Sequence, residues 1–207
     1  MSTISEITNE LERIDTHFSR IILDKNWSVT DLTVSWPNYV SGIRDKRGYR
    51  EYFDFLINAK QQSYRLVDGG VVQLFYEFEN RDTLIRSRCC YSPQYSTELI
   101  VPDSELDISP SDDEDRITTF FRIDFDRAVS THSKSHFQFG GLNELRIPLD
   151  SAVHPYLFMD LIAQALFPND YTEISRKAHY APSVDNCLRV QIATAIDARH
   201  RIKCICS

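Results

Sequence analysis

Two histidines four residues apart with a lysine between them, His132, Lys134 and His136, follow an Arg-x-Asp-x-Asp run formed by Arg122, Asp124 and Asp126. These are the parts that metal-free phosphodiester cleavage needs. One imidazole takes a proton, the other donates one, and cations hold the charge that develops on the phosphate oxygens. In that scheme His132 and His136 move protons, Asp124 orients a histidine, and Arg122, Lys134 and Arg146 form the electrostatic clamp. The same residues also fit a purely structural arrangement, with His132 in a loop, His136 bonded to a neighbouring strand, and Arg122 paired with Asp124 or Glu144 across strands. Asp124, Asp126, His132 and His136 offer ligand types suited to Mn, Fe or Zn. Positions four apart on a strand lie roughly 13 Å from one another, however, so both histidines reach one ion only if the segment turns. No metal and no cofactor is expected.

The elements that must position these groups are strands, because the run from Phe120 to Asp150 alternates. Successive side chains of a strand point to opposite faces. Phe121, Ile123 and Phe125 therefore oppose Arg122, Asp124 and Asp126, while Phe137 and Phe139 oppose His132, Lys134, His136 and Gln138. Leu145 and Ile147 oppose Glu144 and Arg146. Upstream, SYRLVD, VVQLFYEFEN and TLIRSRCCYS read as strands separated by short turns at Asp68-Gly69-Gly70 and Asn80-Arg81-Asp82. Gln73 and Glu77 oppose Val72, Leu74, Tyr76 and Phe78, and Arg86 and Arg88 share one side. If that side continues the Arg122 and His136 face, Arg86, Arg88, Arg122, Lys134 and Arg146 lie near one another, with Arg86, Arg88 and Gln138 as binding residues.

Ile4, Ile7, Leu11, Ile14, Phe18 and Ile21 recur at spacings of three and four, and Thr3 with Glu6 makes a capping box, which predicts an amphipathic N-terminal helix. Its stripe either packs on the sheet or supports a homodimer. Residues 28–36 read as one strand ending at Pro37, and Tyr49 to Ala59 as a helix. His154-Pro155 opens a helix running to Phe167, apolar nearly all round and so central and buried, which Pro168 and Asn169 stop. Residues 102–115 lie in a long acidic loop, and residues 178–207 are left without a place.

The two blocks SYRLVDGGVVQLFYEFENRDTLIRSRCCYSP and FFRIDFDRAVSTHSKSHFQFGGLNELRIPLDSAVHPYLFMDLIAQALFP resemble the signature of the bacterial family called domain of unknown function 2290. The matching positions are Val67-Asp68-Gly69, then Arg122, Asp124, Phe125, Asp126, His132, Lys134, Ser135, His136, Gly140, Arg146 and Pro148. The resemblance covers about half to two thirds of the chain and does not reach residues 178–207. It implies a bacterial, soluble protein and transfers no catalytic residues. An Arg-x-Asp followed by clustered histidines on a meander is also similar to small bacterial toxin families, an analogy at the level of fold.

With 207 residues and average apolar and charged fractions, the chain is read as one domain over residues 1–207. Its net charge of -7 opposes a general nucleic-acid coat protein. Seven acids between Asp103 and Asp115 carry much of that charge, so a local cationic patch is still compatible with it. There is no signal-like start and no apolar run long enough to span a bilayer. Five cysteines, Cys89, Cys90, Cys187, Cys204 and Cys206, lack framework spacing. A cytoplasmic protein without a membrane partner is therefore expected. Cys204 to Ser207 formally matches a prenylation box, and His200 with Cys204 and Cys206 a zinc half-site, but both patterns are weak. No P-loop, Gly-rich dinucleotide turn or G-x-S-x-G elbow is present.

The fold expected is α+β, a single antiparallel β-meander with helices packed on one face and at the ends. Two functions are carried forward. One is a nucleic-acid or phosphodiester-acting enzyme, a phosphodiesterase or nuclease of toxin or defence type. The other is a non-enzymatic binding or partner module whose sheet face grips an anion. The partners implied are nucleic acid or a nucleotide, or a protein.

Overall fold

The computed structural model describes residues 3–39, 49–95, 120–131, 133–139 and 146–197, with the backbone alone for 190–197. The acidic loop expected at 102–115 and the cysteines and His200 of the C-terminal patterns lie outside the described residues, as does His132.

Helix α1 (Ile4–His17) begins with the expected box: Thr3 Oγ1 accepts the Glu6 N–H at 3.1 Å, and Glu6 Oε2 accepts the Thr3 N–H at 2.8 Å. Ile7, Leu11 and Ile14 are fully buried, and so are Phe18 and Ile21, which follow the helix through a turn. The stripe offered for a homodimer therefore lies inside the chain's own core, because the sheet and a later helix cover it.

Nine antiparallel strands make one sheet among the described residues: β1 (Ile22–Lys25), β2 (Ser28–Val29), β3 (Thr33–Ser35), β4 (Tyr64–Leu66), β5 (Val71–Asn80), β6 (Thr83–Ser92), β7 (Phe121–Asp126), β8 (Ser135–Phe139) and β9 (Arg146–Leu149). Strands β4 to β9 are neighbours in chain order, the meander that the alternation predicts. Strand β1 adds beyond β4. Residues 28–36 are a correction: they form the β2–β3 hairpin rather than one strand, since Thr30 bonds back to Thr33 and reverses the chain. One half of β5 pairs with β4 and the other half with β3.

At Phe78 the β5–β6 partners shift, but from Val71 to Glu77 that register is regular, and it continues into β9. Val72, Leu74, Cys89 and Ile123 consequently fall on one face and are buried against α1, α3 (Pro155–Leu166) and α5 (Tyr180–Asp197). Helix α2 (Tyr49–Asn58) takes the opposite face, covering Val71 with Phe53 and Leu56. Helix α3 is buried along Tyr156, Phe158, Met159 and Ile162 but exposes Leu161 and Leu166, so it is not enclosed on all sides. Helix α3 stops before Pro168 as expected, and Pro168 then starts a further helix, α4 (Pro168–Ile174), as a first-turn proline can. The segment left without a place supplies α5.

The N-terminus of α3 lacks a cap of its own, because the His154 side chain makes none and Pro155 has no N–H. Glu10 of α1 replaces it: Oε2 accepts the Tyr156 N–H at 3.3 Å, and Oε1 lies 2.6 Å from His154 Nδ1. Both side chains are nearly fully buried, which makes this clasp a polar link inside the helical layer.

Candidate functional site

Alternation in β5 to β9 and the observed register together put the charged groups in rows across the sheet. Gln73, Cys90, Arg122, Gln138 and Arg146 form one row, and Phe75, Arg88, Asp124, His136 and Pro148 the next. Glu77, Arg86 and Asp126 form a third.

Asp124 is the hub. Its Oδ1 accepts from Arg88 Nε at 2.9 Å, and its Oδ2 lies 2.8 Å from Arg122 Nε in an ion pair not aligned as a hydrogen bond. His136 Nε2 is 3.8 Å from the same Oδ2. Arg122 Nη2 donates to Gln138 Oε1 at 2.7 Å, so this arginine is held from two sides. Access differs sharply across the cluster: the side chains of His136, Asp124, Arg122 and Arg88 are 8%, 16%, 22% and 47% exposed. Arg86 is outermost, shared between Glu77 at 3.2 Å and Asp126 at 3.4 Å.

Arg146 is exposed at the end of the Arg122 row and makes no ion pair among the described residues. Lys134 is exposed just before β8, where its carbonyl accepts the Asp126 N–H. The structure thus gathers Arg86, Arg88, Arg122, Asp124, His136, Gln138 and Arg146 on one face. The two-histidine pairing with His132 falls outside the described residues.

Burial pushes the Cys90 thiol up to about 11, although the Ser92 hydroxyl and the Arg122 and Arg88 charges pull it down. It is therefore protonated at neutral pH and no nucleophile. Tyr52 of α2 donates to Gln73 Oε1 at 3.4 Å. Its hydroxyl is pushed up by burial and by Cys90 against the pull of the same two arginines, so it stays a neutral donor. Among the described residues no group of three or more His, Cys, Asp and Glu side chains is placed to hold a metal ion.

Sequence reasoning missed the aromatic border of this face. Phe75 lies in the Arg88 row, and Tyr39 stacks on it with centroids 4.5 Å apart and planes 23° apart. The odd parity of Phe75 among Gln73 and Glu77 was the available signal. A cavity of about 540 Å³ exists elsewhere, at the start of α1, lined among others by Thr3, Thr8, Asp31 and Arg81, and shares no residue with the arginine face.

A model of the family described as uncharacterized conserved protein (DUF2290) matches residues 18–199. The match bears out the resemblance of the two blocks and extends it into residues 178–199. No curated protein and no solved structure matches the chain.

Proposed function

The chain belongs to the DUF2290 family, and from the geometry of its sheet we propose that the β6–β9 face binds a phosphodiester ligand, nucleic acid or a nucleotide. The observation that carries the reading is the Asp124-centred cluster. A carboxylate holds Arg88 and Arg122 at 2.9 and 2.8 Å on a face that also presents the exposed Arg146. Two guanidiniums fixed side by side offer planar, always-charged donors, the geometry that phosphate recognition uses. Four arginines face three carboxylates there (Arg86, Arg88, Arg122 and Arg146 against Glu77, Asp124 and Asp126), a small positive surplus on a chain of charge -7.

A second reading, cleavage by an enzyme of toxin or defence type, draws on one further observation: His136 Nε2 stands 3.8 Å from Asp124 beside Arg122. An imidazole oriented by a carboxylate next to a cation has the parts of a proton-transfer site. Its 8% exposure favours binding over chemistry.

The test is incubation of purified protein with labelled RNA and DNA, with and without Mn²⁺ or Mg²⁺, beside Arg122→Ala, His136→Ala and His132→Ala/His136→Ala. Under the binding reading, affinity falls as salt rises, with a slope of about 0.7 per phosphate contacted for single strands. Arg122→Ala weakens it, and nothing is cleaved. Cleavage lost in His136→Ala, with folding and binding kept, establishes the second reading. Absence of binding at low salt sinks both.

A further inference from the structure

The aromatic border deepens the phosphodiester reading and rests on it. After β3, Pro37 and Asn38 turn the chain back over the sheet. Asn38 sits in the left-handed region at φ 59°, a conformation that Asn tolerates better than most residues. Gln61 pins this turn: its Nε2 donates to the Asn38 carbonyl at 3.1 Å, and its Oε1 accepts the Trp36 indole N–H at 2.9 Å. The result is a cluster of three rings. Trp36 meets Tyr39 edge-on at 5.3 Å, and Tyr39 lies flat on Phe75 at 4.5 Å. Trp36 and Phe75 are buried, whereas Tyr39, the ring that caps Phe75, is only partly covered.

Position makes the cluster more than a hydrophobic plug. Phe75 is the register partner of Arg88, and Arg88 of Asp124. Neighbouring strands are about 4.8 Å apart, so the Phe75 position under Tyr39 is about 5 Å from that of Arg88 and, two strands and one row away, about 12 Å from that of Arg122, whose side chain reaches Asp124 in the Arg88 row. A base and its own phosphate are separated by one sugar, a span of that order. Aromatic rings beside a cationic track are how proteins hold unpaired bases, because every base has a π-face and the track takes the phosphates.

We propose that Tyr39, backed by Phe75 and Trp36, is a nucleobase platform, and that the ligand of the arginine face is therefore a single strand or free nucleotide with its phosphate on Arg88 and Arg122. A paired base in a duplex has no free face to offer Tyr39, and polyphosphate has no base.

The experiment compares wild type, Tyr39→Leu, Tyr39→Phe and Arg122→Ala in anisotropy and competition titrations. The probes are a fluorescein-labelled single-stranded oligonucleotide, the duplex of the same sequence, a mononucleotide and inorganic polyphosphate. Tyr39→Leu is expected to weaken the single strand about 5- to 150-fold, the range for removing one stacked base. Polyphosphate affinity is expected to be unchanged, and Tyr39→Phe to behave as wild type. Arg122→Ala weakens every probe. Quenching of Trp36 emission by the mononucleotide in a Trp27→Phe background marks a free nucleotide as sufficient, and a response to the oligonucleotide alone marks a strand.

Equal loss of oligonucleotide and polyphosphate binding in Tyr39→Leu, or no loss at all, overturns the platform. Arg122-dependent polyphosphate binding without preference for the single strand overturns the platform while the anion-binding face stands. No binding of any probe overturns both. Should Tyr39→Leu fail to fold by circular dichroism, Trp36 emission in a Trp27→Phe background decides: no change on saturation with either base-bearing probe overturns the platform.

Discussion

Replacing Asp124 by Asn should tighten the binding of a polyanion while weakening the fold. The carboxylate holds two guanidiniums at 2.9 and 2.8 Å, so the trio carries one surplus positive charge, and with the neutral amide it carries two. A phosphate bonded to either arginine sits roughly 6–8 Å from the carboxylate centre, where a like unit charge costs about 0.5–3 kcal/mol between water-like and near-surface dielectrics. Screening near 0.1 M salt roughly halves this. The variant should therefore bind about 2- to 10-fold more tightly. The opposing effect is on stability. A hydrogen bond to a charged group contributes about 1.5–3 kcal/mol. The 47% exposure of Arg88 and 22% of Arg122 reduce that, leaving a loss of about 1–2 kcal/mol. Anisotropy titration of a labelled single strand at low and moderate salt reads the first quantity, and urea denaturation the second. A severalfold loss of affinity in a folded variant would refute the reasoning, because Asp124 would then be organising the arginines for the ligand and not competing with it.

Three further outcomes follow from the fold. Glu10→Ala breaks the buried pair with His154 and uncaps α3, and should cost about 3–5 kcal/mol in urea denaturation, with Glu10→Gln costing less because an acceptor is kept. Gly69→Ala should lose about 1–2 kcal/mol, since Gly69 has φ 84° and an added Cβ also meets the Gln94 side chain; an unchanged melting temperature would contradict this. Burial raises the Cys89 and Cys90 thiols to about 12 and about 11. Their stabilising contribution is thus complete below the unfolded thiol value near 8.5 and is lost as pH rises toward the folded values, by about 1.4 kcal/mol per pH unit for each. Urea midpoints measured from pH 8 to 10 should fall, and should fall less steeply in a folded Cys89→Ala/Cys90→Ala variant.

The faces of β5 and β6 were legible in the sequence because a short turn and alternation leave little freedom of register, and those of β7 and β8 from alternation alone. That the two pairs share one face rests on the β6–β7 register, which a long connecting segment hides from the sequence. Once Glu77 pairs with Arg86, the parity of Asp124 and His136 follows strand by strand. Short or weakly patterned pieces were not legible. Ile22 to Lys25 has too few apolar residues to announce β1, and nothing local shows that Pro168 starts a helix. The side on which α2 packs depends on Val71 and Phe120, far along the chain. In the candidate site, charge was readable from residue type, but partnership was not. Tyr39 meets Phe75, and Tyr52 meets Gln73, only after the turn at Asn38 and the docking of α2.

The Glu10–His154 clasp also sets a clock on synthesis. The two residues are 144 positions apart. At about 5–20 residues per second, a ribosome needs about 7–30 s to make that stretch. During that interval Ile7, Leu11 and Ile14 have no α3 to cover them, while hairpins of the meander can close in about 1–10 μs each once their strands emerge. In a nascent chain the side of α1 that faces α3 therefore waits uncovered for roughly 10⁶–10⁷ hairpin closing times. The docking of α1 on α3 has to wait until that stretch is made.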